Sequence, residues 1–159
     1  MKISIICVGK IKEKFYKEAI EEFQKRLGRY CKLAISEVPD EKTPDRASLS
    51  EENQIRAKEG DRILKQLPND GYVIALCIDG KQRDSADLSK YLDSLAANGK
   101  GHIVFVIGGS IGLAKEVIER ADEQLSFSVM TFPHQLMRVI LLEQIYRSFR
   151  ISNNEPYHK

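Results

Sequence analysis

Three stretches of the sequence follow apolar runs and carry groups that could together hold a small molecule. They lie at residues 76–79, 107–109 and 128–132, each at the end of a run typical of a buried strand. Ligands of parallel α/β sheets gather at the carboxyl ends of the strands. If the three ends are adjacent, they form an apolar cleft rich in main-chain donors and acceptors, which suits an adenine base.

The middle stretch leads into a glycine-rich turn, residues 108–112 (GGSIG). Glycine lets the main chain approach a ligand closely, although such turns are also common for structural reasons alone. The pattern is not the dinucleotide fingerprint G-x-G-x-x-G, and the next strand ends without an acid that could bind a ribose hydroxyl. These absences disfavour a nucleotide-dependent oxidoreductase. The missing G-x-x-x-x-G-K-[ST] motif excludes a P-loop NTPase.

A second group of reactive residues lies near the C-terminus. His134 and Arg138 are four residues apart and share one helix face. His134 could titrate near neutral pH and Arg138 could bind a phosphate or carboxylate, or else His134 caps the helix and Arg138 pairs with an acid. Tyr157, His158 and Lys159 combine a stacking ring, a proton carrier and a cation. That mixture suits an unstacked RNA base, unless the terminus is simply frayed.

The length and charge of the chain limit the kinds of protein it can be. Its 159 residues form one domain, residues 1–159, and 42% of them are hydrophobic, enough for a core. The formal net charge of +2 comes from residues 134–159, which hold four basic and two acidic residues. This is a modest indication of an anionic partner, with a solvated helix face as the alternative.

The sequence indicates neither a metal site nor a membrane span. The three histidines are scattered and the three cysteines form no C-x-x-C pair, so the usual ligand spacings are missing. Widely spaced cysteines fit a reducing compartment, and no stretch approaches the roughly 20 apolar residues that cross a bilayer. We therefore expect a cytoplasmic protein that binds no metal.

Apolar periodicity predicts alternating strands and helices. The predicted strands cover residues 3–8, 32–38, 72–78, 102–107 and 125–129, and the predicted helices cover residues 13–27, 48–67, 85–97, 113–121 and 133–149. A turn is predicted at residues 79–80. Helices between apolar strands indicate an α/β fold with a mostly parallel sheet flanked by helices.

The last predicted helix is apolar over well more than half of its circumference. Such a helix must bury more than one face. A second subunit is the simplest cover in so short a chain, which predicts a homodimer, and the alternative is cover by other helices of the same chain.

Four motifs in order give the chain a likeness to a known family. They are residues 107–113 (IGGSIGL), residues 125–138 (LSFSVMTFPHQLMR), residues 143–147 (EQIYR) and residues 153–159 (NNEPYHK). With them, the chain resembles nearly end to end the RlmH family of 23S ribosomal RNA (pseudouridine-N3) methyltransferases, in the SPOUT superfamily. The resemblance implies a SPOUT-type α/β fold whose C-terminal part is threaded into a trefoil knot, an exception to the rule against threaded loops.

The resemblance also implies a methyl donor, S-adenosyl-L-methionine, bound in the knot. The residues that match the donor site are Leu76, Gly108, Phe127, Ser128, Val129, Met130, Thr131 and Phe132. The substrate implied is a pseudouridine of 23S rRNA, reached on the assembled ribosome by a homodimer whose last helices meet.

The expected reaction is an in-line transfer of the methyl group to N3 of the base, which must first lose its proton. Around the acceptor base we expect His134, Arg138, Tyr157 and His158, with the tail coming from either subunit. Arg147, Arg150 and Lys159 are expected to contact phosphates. The alternatives are a SPOUT enzyme acting on transfer RNA and a non-enzymatic ribosome-binding assembly factor.

Overall fold

The computed structural model describes residues 1–159 as a five-stranded parallel sheet with helices on both faces. The elements in chain order are β1 (Lys2–Val8), α1 (Lys14–Leu27), β2 (Lys32–Val38), α2 (Leu49–Gln66), β3 (Tyr72–Gln82), α3 (Ser85–Ala97), β4 (His102–Ile107), α4 (Lys115–Arg120), β5 (Glu123–Ser126) and α5 (His134–Ser152). The strands lie in the order β2-β1-β4-β3-β5, and every neighbouring pair is parallel. The predicted α/β class is therefore confirmed.

The sheet is apolar on both faces because helices cover each of them. Every residue of β4 is buried, and Ile5 in β1 pairs with Ile35 on one side and Phe105 on the other. Side chains alternate between the two faces. One face forms a core with α1, α3 and α5, and the other forms a smaller core with α2 and α4. This layering places β1, β4 and β3 in the middle and leaves their carboxyl ends open.

Local signals set the starts of α2 and α3. Ser48 accepts a hydrogen bond from the Glu51 backbone N–H, and the Glu51 carboxylate accepts one from the Ser48 N–H, which forms a capping box. The Asp84 carboxylate accepts from the backbone N–H of Asp87 at 2.7 Å. These caps satisfy helix N–H groups that have no partner within the helix.

The ends of β3 and β5 were predicted wrongly, β5 begins two residues earlier than predicted, and α5 continues to Ser152 rather than ending at residue 149. β3 does not end at a turn over residues 79–80 but continues to Gln82, because Leu76 and Lys81 both pair with Leu125 and the residues between them bulge out. β5 ends at Ser126 rather than at residue 129, because side-chain hydrogen bonds turn the chain away from the sheet. The Ser126 hydroxyl donates to Ser128 O, and the Met130 N–H donates to Ser128 Oγ.

Helix α5 is covered in part by its own chain. It packs between α1 and α3 and also touches β4, with Leu141, Leu142 and Ile145 fully buried. The homodimer predicted from the apolar character of this helix stays a prediction, as does the threading of the C-terminal part into a knot. None of the helices combines the length and apolar character needed to cross a bilayer. No three His, Cys, Asp or Glu side chains are grouped in a way that could hold a metal ion.

Candidate active site

The start of the β3 bulge and the carboxyl ends of β4 and β5 converge on one cleft of about 760 Å³, which the first turn of α5 also lines. This volume lies within the range of small-molecule sites. More than half of the lining residues are hydrophobic, so the walls are apolar. Seven of the eight residues matched to a methyl-donor site line it, namely Leu76, Gly108, Phe127, Ser128, Met130, Thr131 and Phe132.

The glycine turn forms one wall of the cleft. Its glycines are needed because the backbone packs closely within the turn. A Cβ on Gly108 would lie 2.9 Å from the carbonyl carbon of Gly112, so a larger residue would push the turn apart. Gly112 has φ +83, a left-handed conformation that favours glycine. The Gly112 N–H donates to Gly109 O at 3.1 Å, which closes the turn. The result is a wall of main chain that a flat ligand can approach closely.

The loop after β5 forms the opposite wall. Met130 lines the cleft although the residue is 70% exposed, so its thioether side chain is accessible to a ligand. Val129 is 75% exposed and is absent from the lining, so its predicted role in donor binding stays a prediction. The bulge in β3 adds Cys77 and Ile78 to the lining. Burial raises the pKa of the Cys77 thiol, so this thiol is neutral at pH 7 and a poor nucleophile.

His134, the first residue of α5, lines the cleft. A Cβ on Gly9 would sit 3.3 Å from its Nε2, so the β1–α1 loop packs directly against the imidazole. Burial lowers the pKa of His134, and the positive charge of Arg138 lowers it further, against weaker opposing effects of Asp40 and Glu13. The imidazole is therefore neutral at pH 7 and can accept a hydrogen bond or a proton.

Arg138 lies one turn further along α5 but does not line the cleft. Its side chain is 1% exposed, and its guanidinium donates to Glu37 Oε1 at 2.5 Å and to Gly9 O at 3.1 Å. This matches the alternative in which the arginine pairs with an acid. Arg138 thus ties α5 to the end of β2 and to the loop that packs on His134. Its predicted contact with an acceptor base stays a prediction.

The C-terminal tail is ordered but lies outside the cleft of its own chain. The Tyr157 hydroxyl donates to Glu143 Oε1 at 3.0 Å, and the Arg147 guanidinium stacks 4.7 Å from the Tyr157 ring centre. His158 lies beside Arg147, with Nδ1 and Nη1 3.4 Å apart. Since α-helices rise about 1.5 Å per residue, Glu143 is roughly 13 Å along α5 from His134.

Two of the three cations expected to contact phosphates already have partners. Arg147 pairs with Glu143 at 2.6 Å, and Arg150 pairs with Glu155 at 2.5 Å. Tyr30 also donates to Glu155, so the end of α5 is tied to the α1–β2 connection. Lys159 has no ion-pair partner in the chain. Phosphate contacts by these residues stay predictions.

Comparison with known proteins places this arrangement in a family. A family model described as "Predicted SPOUT methyltransferase" matches residues 1–158. The chain belongs to the SPOUT methyltransferase family. Relatives named "Ribosomal RNA large subunit methyltransferase H" from Bifidobacterium adolescentis and Clostridium botulinum are 59% and 60% identical. In both alignments, 159 residues cover 100% of each chain.

A solved structure shares the fold of this SPOUT chain. It is titled "The structure of a probable methylase family protein from Haemophilus influenzae Rd KW20", and it superimposes with a TM-score of 0.55. The match covers 99% of this chain and 70% of that one at 14% identity, so it bears on the fold alone.

Two residues of the SPOUT-family cleft come from α2 and were not predicted from the sequence. Glu52 and Arg56 both line the cleft, although the thin apolar stripe of α2 is typical of a surface helix. The Arg56 Nη1 donates to Ile111 O at 3.1 Å and so reaches the glycine turn. Neither residue belongs to a motif, and nothing in their spacing of four sets them apart from an ordinary helical ion pair.

Proposed function

We propose that this protein transfers the methyl group of S-adenosyl-L-methionine to N3 of a pseudouridine in the 23S rRNA of the large ribosomal subunit. The observation that carries the proposal is the convergence of the β3 bulge, the ends of β4 and β5, and His134 on one cleft. The names of the full-length relatives support large-subunit ribosomal RNA as the target. A cytoplasmic protein is the expectation that goes with such a substrate.

The cleft fits the donor in shape and chemistry. The main chain around Gly108 can pair with the edges of an adenine, and the absence of a Cβ there lets the turn close against Gly112. The apolar side chains of Leu76 and Phe127 suit the faces of the ring, and the loop over residues 128–132 closes the site. When bound, the donor supplies an electrophilic methyl group on a sulfonium. The protein holds it in one orientation and keeps water from the reacting atoms.

The acceptor nitrogen has to lose its proton before it can attack the methyl group. His134 is neutral and borders the cleft, so we propose that it accepts a hydrogen bond from the N3–H of the base and takes up this proton as the methyl group is transferred. Its lowered pKa makes it a weak base, which means that alignment of the imide and stabilisation of its anion must contribute much of the rate. Arg138 is assigned a positioning role, because its contacts with Glu37 and Gly9 hold the wall against which His134 packs.

We further propose that the enzyme works as a homodimer in which the tail of one subunit completes the cleft of the other. Within one chain, Tyr157 is held beside Glu143 and Arg147, about 13 Å along α5 from His134. A second copy packed on α5 could bring Tyr157 and His158 of the partner subunit to the acceptor base. Tyr157 would then stack on the base and His158 would contact its edge or the flanking phosphate.

The low net charge of +2 gives little affinity for naked RNA, so we expect the assembled ribosome to position the target. The test is methyl transfer from labelled S-adenosylmethionine to 70S particles, free 23S rRNA and transfer RNA. We expect transfer to 70S particles alone, and mass spectrometry should place the methyl group on a pseudouridine. Equal rates on 70S particles and free 23S rRNA would refute the ribosome requirement. Transfer to transfer RNA alone would refute the substrate.

A second measurement separates an enzyme from an assembly factor that only retains the fold. Isothermal titration calorimetry with S-adenosylmethionine should show saturable binding, and Gly108→Val should abolish it because its side chain would collide with Gly112. Gly101→Val is the matched control, since nothing lies within 4 Å of a Cβ there. A wild-type protein that does not bind the donor would contradict the enzymatic assignment.

A further inference from the structure

Two side chains in the cleft carry a formal charge at neutral pH, and both come from one turn of α2. Glu52 and Arg56 line the cleft with side chains that are 35% and 20% exposed, and their charged groups lie 3.7 Å apart. His134 is neutral at pH 7, and the remaining lining residues are apolar, glycine or uncharged polar. A cleft that is otherwise uncharged therefore holds one anion and one cation side by side.

The contacts of this pair leave binding capacity unused. The Glu52 carboxylate accepts no hydrogen bond from the chain, and Arg56 at 3.7 Å is its one ionic contact. Arg56 donates from Nη1 to Ile111 O at 3.1 Å and from Nη2 to Asn53 Oδ1 at 2.6 Å. A guanidinium has five N–H donors, so three remain free. Arg56 is thus fixed against the glycine turn with its remaining donors available to a ligand.

We infer that Glu52 and Arg56 bind the amino-acid end of the methyl donor, an inference that rests on the proposed function. That end carries an α-carboxylate and an α-ammonium group close together. A guanidinium binds a carboxylate through paired hydrogen bonds, and a carboxylate binds an ammonium group through charge-assisted hydrogen bonds. Arg56 therefore takes the donor's carboxylate, and Glu52 takes its ammonium group.

This assignment also gives the pair a role in orienting the donor. The pair is tied to Ile111 on the glycine-turn side of the cleft, whereas His134 borders the same cleft at the start of α5. Fixing the amino-acid end on one side limits how the rest of the donor can lie. The pair therefore acts as a specificity determinant that selects the intact donor over adenosine compounds without an amino-acid group.

The test compares two ligands that differ in this end of the molecule. S-Adenosylhomocysteine retains the amino-acid group, and 5′-methylthioadenosine lacks it. Calorimetry should show that Glu52→Gln and Arg56→Gln each weaken S-adenosylhomocysteine binding at least about tenfold, as expected for one hydrogen bond to a charged group. The affinity for 5′-methylthioadenosine should not change. Arg56→Lys should recover part of the loss, because it restores the charge without the planar fork.

Two exposed residues of the same helix provide controls for charge. Asp61→Asn and Lys58→Gln change the net charge by the same amounts as the test variants and should leave both affinities unchanged. Unchanged S-adenosylhomocysteine binding in the test variants would overturn the inference. Equal losses for both ligands would also overturn it, since the residues would then act only by shaping the turn. A wild-type protein that binds neither ligand would contradict the proposed function itself.

Discussion

Replacing Glu37 with glutamine tests the ion pair that fastens α5 to the edge of the sheet. The Arg138 side chain is 1% exposed and that of Glu37 is 34% exposed, so the substitution leaves a buried cation beside a neutral amide. Removing one partner of a fully buried pair costs about 3–5 kcal/mol. Water reaches one third of Glu37, and glutamine keeps an acceptor oxygen, which lowers the expected cost to about 2 kcal/mol. For a chain of this length that corresponds to a decrease in Tm of roughly 4–8 °C.

The assay is urea unfolding followed by circular dichroism at one fixed protein concentration, because association would change the apparent stability. Glu37→Gln, Arg138→Met and the double variant form a thermodynamic cycle, and we expect a coupling energy of at least about 1 kcal/mol. Glu22→Gln is the control. It removes the charge from a helical pair in which Arg26 and Glu22 are 41% and 50% exposed, and it should cost less than about 0.5 kcal/mol. If Glu37→Gln cost no more than this control, the reasoning about Arg138 would be refuted.

Three further predictions concern single residues. The NMR titration midpoint of His134 should lie below 6.5, and Arg138→Met should raise it. Because the His134 imidazole takes up a proton more readily in the unfolded chain than in the folded one, protonation of His134 favours unfolding. The stability that depends on neutral His134 is therefore complete above about pH 6.5 and is lost as the pH falls. Urea unfolding of the wild type and of His134→Asn between pH 7.5 and 5 measures this loss. Burial raises the pKa of Glu59, so Glu59→Gln should increase the unfolding free energy at pH 7 by about 1 kcal/mol, and a decrease would contradict this. Gly80→Ala should cost more than about 2 kcal/mol in urea unfolding, because its Cβ would lie 2.7 Å from backbone atoms of β5, whereas Gly101→Ala should stay within about 0.5 kcal/mol.

The strands and long helices could be predicted from the sequence because their signals are local. The bounds of β2, α3 and β4 were predicted to the residue, since β2 alternates apolar and polar residues, α3 has helical apolar spacing and β4 is apolar from Ile103 to Ile107. The predicted starts of α1 and α2, at Glu13 and Ser48, lie one residue before the observed starts, because these two residues are the N-caps of the helices. These boundaries are set by residues close together in the sequence, so they can be predicted without knowing which other segments pack against the element.

The errors near β3 and β5 arise where contacts between distant segments override local preference. The Asp-Gly pair at residues 79–80 is a strong turn signal, yet pairing of Lys81 with Leu125 draws the chain back into the sheet. Gly80 is required there by the close backbone of β5, which lies 2.7 Å from a Cβ built at this position. The glycine thus reflects strand packing and not a strand end, a distinction that one sequence does not contain.

The meeting of the segments that line the cleft could be predicted from the sequence, whereas the contacts of Arg138 could not. Parallel strands place their carboxyl ends at one edge, so segments around Leu76, Gly108 and Met130 could be expected to meet once a parallel sheet was predicted. Arg138 could not be assigned in this way, because its partner Glu37 lies 101 residues away and nothing local distinguishes a buried arginine from one that faces a ligand. The role proposed for Arg138 comes from resemblance to a family, whereas its contacts are known only from the structure.

The geometry of α5 links the acceptor side to the oligomeric state. One helix begins at His134 in the cleft and holds its own tail beside Glu143 and Arg147. The Tyr157 ring packs edge-on against Tyr146, with ring centroids 5.0 Å apart, so moving the tail to its own cleft would break this contact as well as the Glu143 hydrogen bond. In the proposed homodimer this cost would be avoided, because the tail would stay folded on its own helix while contributing to the cleft of the other subunit. On this reasoning, a form that remains monomeric should bind the methyl donor but transfer no methyl group.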